Sequence, residues 1–237
     1  MTLSARTFWK HLTRLHRYAG LVLGLQIILW FGSGFFMTLF PIEQVRGNHM
    51  LQSLATPAQI ATIDLEAISK SHSGDIETLE AANIAGRLVV SVNGDAHYSA
   101  DGSALAPLQE DAVRTVARAA YAGVGELGSL ALLDEVPLDY RGAVPVWQAK
   151  FEDAAATRLY IAPDTGEVLR VRTRLWRVFD TMWMLHIMDY GERENFSSWH
   201  LRILSFFALL FAISGMMLAV QRVFLRPKPD RGIRTRA

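Results

Sequence analysis

Two long uncharged stretches bracket the chain. Residues 18–40 contain no Asp, Glu, Lys or Arg, and Gln26 is their most polar side chain. Residues 203–220 are likewise uncharged. A helix needs about 20 apolar residues to cross the hydrocarbon core of a bilayer, so each stretch predicts a membrane span. A buried core helix is the soluble alternative, but few soluble helices are apolar on every face. The expected spans are residues 18–40 and 199–221, with tails 1–17 and 222–237 outside them.

Between the spans, over residues 41–174, the pattern shortens and alternates. Thr56-Pro57 reads as a helix start, continuing to about residue 70. Residues 87–92 (Arg-Leu-Val-Val-Ser-Val) read as a strand, Asn93-Gly94 as a tight turn and residues 96–99 as the returning strand. A second helix is expected over residues 110–121. A second hairpin follows from residues 144–151 and 157–162, continuing through the turn Pro163-Asp164-Thr165-Gly166 to residues 167–171. Helix and hairpin thus occur twice, which suggests a duplication with repeats at about 56–106 and 107–172. Trp176, Phe179, Trp183, His186 and Tyr190 then step by 3, 4, 3 and 4, the mark of one helical face over residues 175–190. Such a helix would lie along a membrane surface. The expected fold class is an α+β membrane protein, two transmembrane helices flanking a domain of duplicated helix–hairpin units.

Charge orients this arrangement. Arg6, Lys10, Arg14 and Arg17 precede the first span; Arg222, Arg226, Lys228, Arg231, Arg234 and Arg236 follow the second, against Asp230 alone. The other 14 Lys/Arg share the middle of the chain with 22 Asp/Glu, a net charge of −8. Positive flanks stay in the cytoplasm, so both tails are expected inside and the central domain outside. The basic tails reflect topology and anionic lipid rather than nucleic acid. Residues 40–44 (Phe-Pro-Ile-Glu-Gln) offer no small-x-small cleavage site, so the first span reads as an uncleaved anchor. Cysteine is absent, which excludes disulfides, Fe–S clusters and covalently attached haem.

Two segments carry a family resemblance. Residues 146–151 (Val-Trp-Gln-Ala-Lys-Phe), with Leu159-Tyr160-Ile161-Ala162-Pro163-Asp164-Thr165-Gly166-Glu167-Val168-Leu169, look like the end of a PepSY domain. Leu15-His16-Arg17-Tyr18-Ala19-Gly20-Leu21-Val22-Leu23-Gly24 resembles the opening of the PepSY-associated transmembrane family, in which a His-Arg pair begins the first span. The resemblance implies a bacterial inner membrane, a periplasmic central domain and kinship with haem-containing reductases of ferric siderophores and with proteins assisting ferrous iron uptake. Many of those relatives have four spans, and this chain has two.

Three of the seven histidines lie within reach of a membrane cofactor. His16 stands at the start of the first span, with Gly20 and Gly24 at four-residue steps on the same face. Small residues there admit either a partner helix or a flat macrocycle. His200 opens the second span beside Trp199 and Arg202, which are ordinary interface anchors or, alternatively, the surroundings of an axial ligand with a cation for a propionate. His186 sits in the aromatic stripe, which either anchors the domain to lipid or walls a haem pocket together with Trp183. His16 and His200, about 30 Å apart across the hydrocarbon, cannot share one iron. His186 and His200 can. A homodimer would restore four spans and place histidines at both faces.

Met182, Met184, His186 and Met188 alternate like soft copper ligands, but alternation converges only on a strand, and this segment reads as helix. Glu192 and Glu194 beside Asp189 could offer oxygens to ferric iron, though a solvated acidic loop is the simpler account. His72 and His97 read as surface residues. The sequence therefore leads to an inner-membrane protein carrying haem b and passing electrons to a periplasmic ferric species or redox partner. Its rival is a non-catalytic, membrane-anchored module that binds a periplasmic partner.

Overall fold

The structure is a computed structural model, described over residues 3–52, 63–84, 86–191, 193–195 and 197–225. It divides into two compact units, one of residues 40–179 and one formed by residues 1–39 with 180–237.

The second unit is a pair of long helices, α1 (Leu3–Thr38) and α6 (Trp199–Val220), each long and apolar enough to cross a membrane. Ser198 caps α6 through its side-chain oxygen. A π-turn, Gln221–Leu225, follows α6. α1 starts well before the uncharged run, so the four cations of the amino-terminal tail are helical rather than a loose leader. Leu21, Val22, Leu25, Ile28, Phe31 and Phe35 are exposed, as side chains that meet lipid should be. Basic residues 226–237 lie outside the described residues.

The central unit begins with two single-turn elements, α2 (Ile42–Arg46) and a 3₁₀ turn at Asn48–Met50, joined at Gly47 with φ +78. A Cβ there would press on Val171 at 3.1 Å, so glycine meets both the dihedral and the space. Next comes α3 (Leu65–Ser71), with Asp64 as N-cap accepting from the Ala67 amide at 2.9 Å. The start expected at Thr56-Pro57 lies outside the described residues, while Ile63 and Asp64 are not helical. An antiparallel sheet follows in the order β1 (Leu79–Ile84), β2 (Arg87–Val92), β3 (Ala96–Ser99). Ile68 of α3 packs on its Val90, Val92 and Tyr98. Asn93-Gly94 makes the turn, both residues at positive φ.

The second repeat is larger. Helix α4 (Glu110–Ala120) precedes a sheet in the order β4 (Glu126–Leu133), β5 (Val146–Glu152), β6 (Arg158–Ile161), β7 (Val168–Arg172). Period-two alternation gives this sheet two buried faces. Ala149, Phe151, Leu159, Ile161 and Val171 pack with Val113, Ala117 and Ala120 of α4. Tyr160 and Val146 turn to the opposite face and meet Tyr140. Gln148 and Tyr160 also join a polar cluster on Asp139. The Tyr160 hydroxyl donates to Asp139 at 2.5 Å and accepts from the Gln148 amide at 2.6 Å, while Arg158 reaches the same carboxylate at 2.9 Å. Burial, then the neighbouring Asp139 carboxylate, pushes the Tyr160 phenol well above its ordinary range.

Each expected helix–hairpin is thus a helix followed by a sheet, with an extra strand in front of each hairpin. β1 and β4 escaped the sequence reading because Leu-Glu-Ala-Ala-Asn-Ile and Glu-Leu-Gly-Ser-Leu-Ala-Leu-Leu lack β-branched alternation. Edge pairing with β2 and β5, not intrinsic preference, makes them strands. The Asp/Gly motif shared by the halves is turn chemistry in both. Asp101 accepts from Ser99 and Ser103, which holds its carboxyl at about 2, and Gly102 and Gly166 have φ +83 and +78. His72 and His97 are half-buried rather than surface residues, bonded to the Tyr98 hydroxyl at 3.2 Å and the Ser91 hydroxyl at 3.0 Å.

Candidate functional site

α5 (Arg174–Ile187) crosses the division between the units, at Phe179 and Asp180. It stops three residues before Tyr190. Met188 takes φ +55, so Tyr190 leaves the helical stripe and is exposed. Within the helix-pair unit, three contacts fix the segment after α5. The Asp180 carboxylate pairs with Arg193 at 2.6 Å, both groups well buried. The Trp183 indole donates to the Arg193 carbonyl at 3.1 Å. Asp189 accepts from the amides of Gly191, Glu194 and Asn195, and these bonds hold its carboxyl below the usual range. The acidic loop is therefore organised around its own backbone, with Glu192 outside the described residues.

His186, in the last turn of α5, meets α1. Its Nδ1 lies 3.1 Å from the Ser33 hydroxyl. Ser33 is 3% exposed and donates its own proton to the Leu29 carbonyl at 2.6 Å. The hydroxyl oxygen can therefore accept from His186 Nδ1–H, and in the neutral ring that tautomer leaves the lone pair on Nε2. This is the protonation state in which imidazole binds a metal through Nε2, with its other nitrogen held by an outer partner. Gly34 lies beside the ring; a Cβ there would be in ordinary contact with it at 3.4 Å.

His16 repeats the device one helix-length away. Its Nδ1 lies 2.7 Å from the Ser214 hydroxyl, which donates to the Phe211 carbonyl at 2.8 Å, so the same serine-held arrangement is open to it. The surroundings differ. The ring stacks on Phe211 with centroids 4.2 Å apart and planes 3° from parallel, and a Cβ at Gly215 would stand 3.0 Å from it. Ser214 lies six residues, about 9 Å, before the end of α6. Of the two glycines expected to share its face, a Cβ at Gly20 would stand 3.3 Å from the Phe211 ring, while one at Gly24 would meet nothing within 4 Å. Between Ser33 and His16 runs about 26 Å of helix, so His16 and His186 do not share a site.

His200 donates Nε2–H to the Met188 carbonyl at 2.8 Å, tying the start of α6 to the end of α5. That brings His186 and His200 into one neighbourhood but occupies the His200 nitrogen farther from its backbone. Arg202 is exposed.

His186 lines an apolar groove of about 700 Å³ with Ile27, Trp30, Phe31, Ile187, Leu201, Ser205, Ala208, Phe211 and Ala212. The lining excludes His16, His200, Arg202 and Trp183. Two buried donors of α1, Gln26 Nε2 and Trp30 Nε1, have no hydrogen-bond partner. They are four residues apart and share a helix face. An unmet donor is costly in a span, where no water can reach it. Sequence alone pointed to Gln26 only as the most polar residue of its span.

These features fit a b-type haem in part. The groove volume falls in the cofactor range, His186 would supply the ligand nitrogen, and the Trp30 indole could donate to an acceptor oxygen. A cation for a propionate is lacking from the groove lining. The residues that would hold the group are His186, Trp30, Phe31 and Phe211.

The model of one protein family, the PepSY-associated TM region, matches residues 13–237. The chain belongs to that family. No curated protein matches it, and no solved structure does. It is a membrane-anchored PepSY-associated protein with an α+β central domain.

Proposed function

We propose that this PepSY-associated protein is a membrane electron carrier that holds one b-type haem at the His186 groove. It passes electrons to an acceptor on the periplasmic side, a ferric species or ferric siderophore in the setting its family resemblance suggests. The observation that carries this reading is the Ser33–His186 pair, which leaves a bare Nε2 on a residue lining an apolar groove. Haem held there supplies reversible one-electron chemistry.

The chain's own groups do the rest. Ser33 fixes the imidazole tautomer and orientation. Trp30, Phe31 and Phe211 exclude water and so tune the potential. Trp30, which lines the groove, donates to an acceptor oxygen entering it. The groove is open on one side, and a second copy facing it would enclose the group and restore four spans; the homodimer belongs to this proposal.

Purified protein, expressed with ample haem, is expected to show a b-type pyridine haemochrome that His186→Ala removes. Colourless wild-type protein would sink the reading and leave the tethered binding module. Full haem in His186→Ala would move the ligand elsewhere.

A further inference from the structure

The amino-terminal end of α1 carries chemistry that the haem reading does not use. Arg6, Lys10, Arg14 and Arg17 step by 4, 4 and 3, so at 100° per residue they fall within an arc of about 80°. With Trp9, Thr13 and Tyr18 of the same helix and Gln221 of the π-turn, they line a cleft of about 760 Å³. All four cations are exposed, and none has an acidic partner among the described residues.

Topology alone does not ask for this order. The positive-inside bias counts charges near a span and is indifferent to which helix face bears them. Here all four cations of the tail share one face. Trp9 and Tyr18 flank them as amphipathic rings suited to the headgroup level. Gln221, 8% exposed, contributes from the other helix, so the cleft belongs to the assembled pair rather than to α1 alone. Three guanidiniums suit forked bonding to phosphate oxygens, and the ammonium adds a point charge. From Arg6 to Arg17 the stripe runs about 16 Å, longer than one phosphate requires.

We propose that this cleft is a binding site for the headgroup of an anionic phospholipid, with a two-phosphate headgroup held more tightly than one. The phosphate enters between the cations, and the acyl chains run down the apolar flank of α1, where Leu21, Val22 and Leu25 are exposed.

The full chain in neutral detergent, titrated with cardiolipin, phosphatidylglycerol, phosphatidylcholine and inorganic phosphate, tests this by native mass spectrometry. Cardiolipin is expected to bind tighter than phosphatidylglycerol, and both at least about tenfold tighter than phosphatidylcholine. Arg14→Gln and Arg17→Gln are each expected to weaken cardiolipin about fivefold, with phosphatidylcholine unchanged. Lys150→Gln, an equal loss of charge at an exposed residue of the central domain, should change nothing. Equal retention of the zwitterionic lipid, an equal effect of Lys150→Gln, or displacement of cardiolipin by millimolar inorganic phosphate would each overturn the lipid site. None of these readouts depends on haem.

Discussion

The Asp139 cluster of the central domain and the His186 groove of the helix pair are both polar chemistry in apolar surroundings, yet they are finished to different degrees. Around Asp139 every carboxylate oxygen has a donor: Tyr160 on one, Arg158 on the other, with Gln148 completing the tyrosine. The main chain is drawn in as well, since Arg172 Nε donates to the Asp139 carbonyl at 2.6 Å. Around His186 one nitrogen meets Ser33 and the other is left bare, while Trp30, which lines the same groove, holds a donor with nothing to receive it. A closed network stabilises a fold. An open one, in a span where water cannot complete it, leaves a cost that the proposed group would relieve.

His186→Ala breaks this contrast most directly. Haem content, read as pyridine haemochrome per protein, is expected to fall below detection. His16→Ala, whose ring is already stacked on Phe211, should retain most of it. Next in size is Asp139→Ala, which strands Tyr160, Arg158 and Gln148; a loss of about 3–5 kcal/mol is expected in denaturant unfolding, with haem content per folded protein unchanged. Ser33→Ala should leave the fold intact and weaken haem retention about 10–100-fold, as loss of an outer partner does. If Ser33→Ala has no effect, the imidazole is not being positioned and the groove loses its special status.

The smallest effect concerns Asp153. Burial alone would raise its carboxyl, but Thr157 through both amide and hydroxyl, and the Tyr121 hydroxyl, together hold it below the ordinary value. A depressed folded-state pKa contributes stability that is present above the unfolded value, about 4, and is lost as pH falls through the folded one. Thermal melts from pH 7 down to pH 3 should therefore fall more steeply for the wild type than for Asp153→Asn.

The sequence by itself determined the two spans, the α+β class and the repeated order of helix and hairpin. Those follow from local quantities: an uncharged run long enough for a bilayer, alternation at period two, and turn residues such as Asn93-Gly94 and Asp101-Gly102. It also singled out His16, His186 and His200, because imidazole is uncommon beside a span. Tertiary structure alone decided what each ring faces. His16 and His186 each meet a serine hydroxyl at Nδ1, but Phe211 and Gly215 close on the first, while the second lines a groove; the partners lie 198 and 153 residues away in the chain. The edge strands β1 and β4 were decided the same way, since their pairing comes from a neighbouring strand rather than from their own side chains. Periodicity tells which face of an element is apolar, but not which residue from a distant element will meet it.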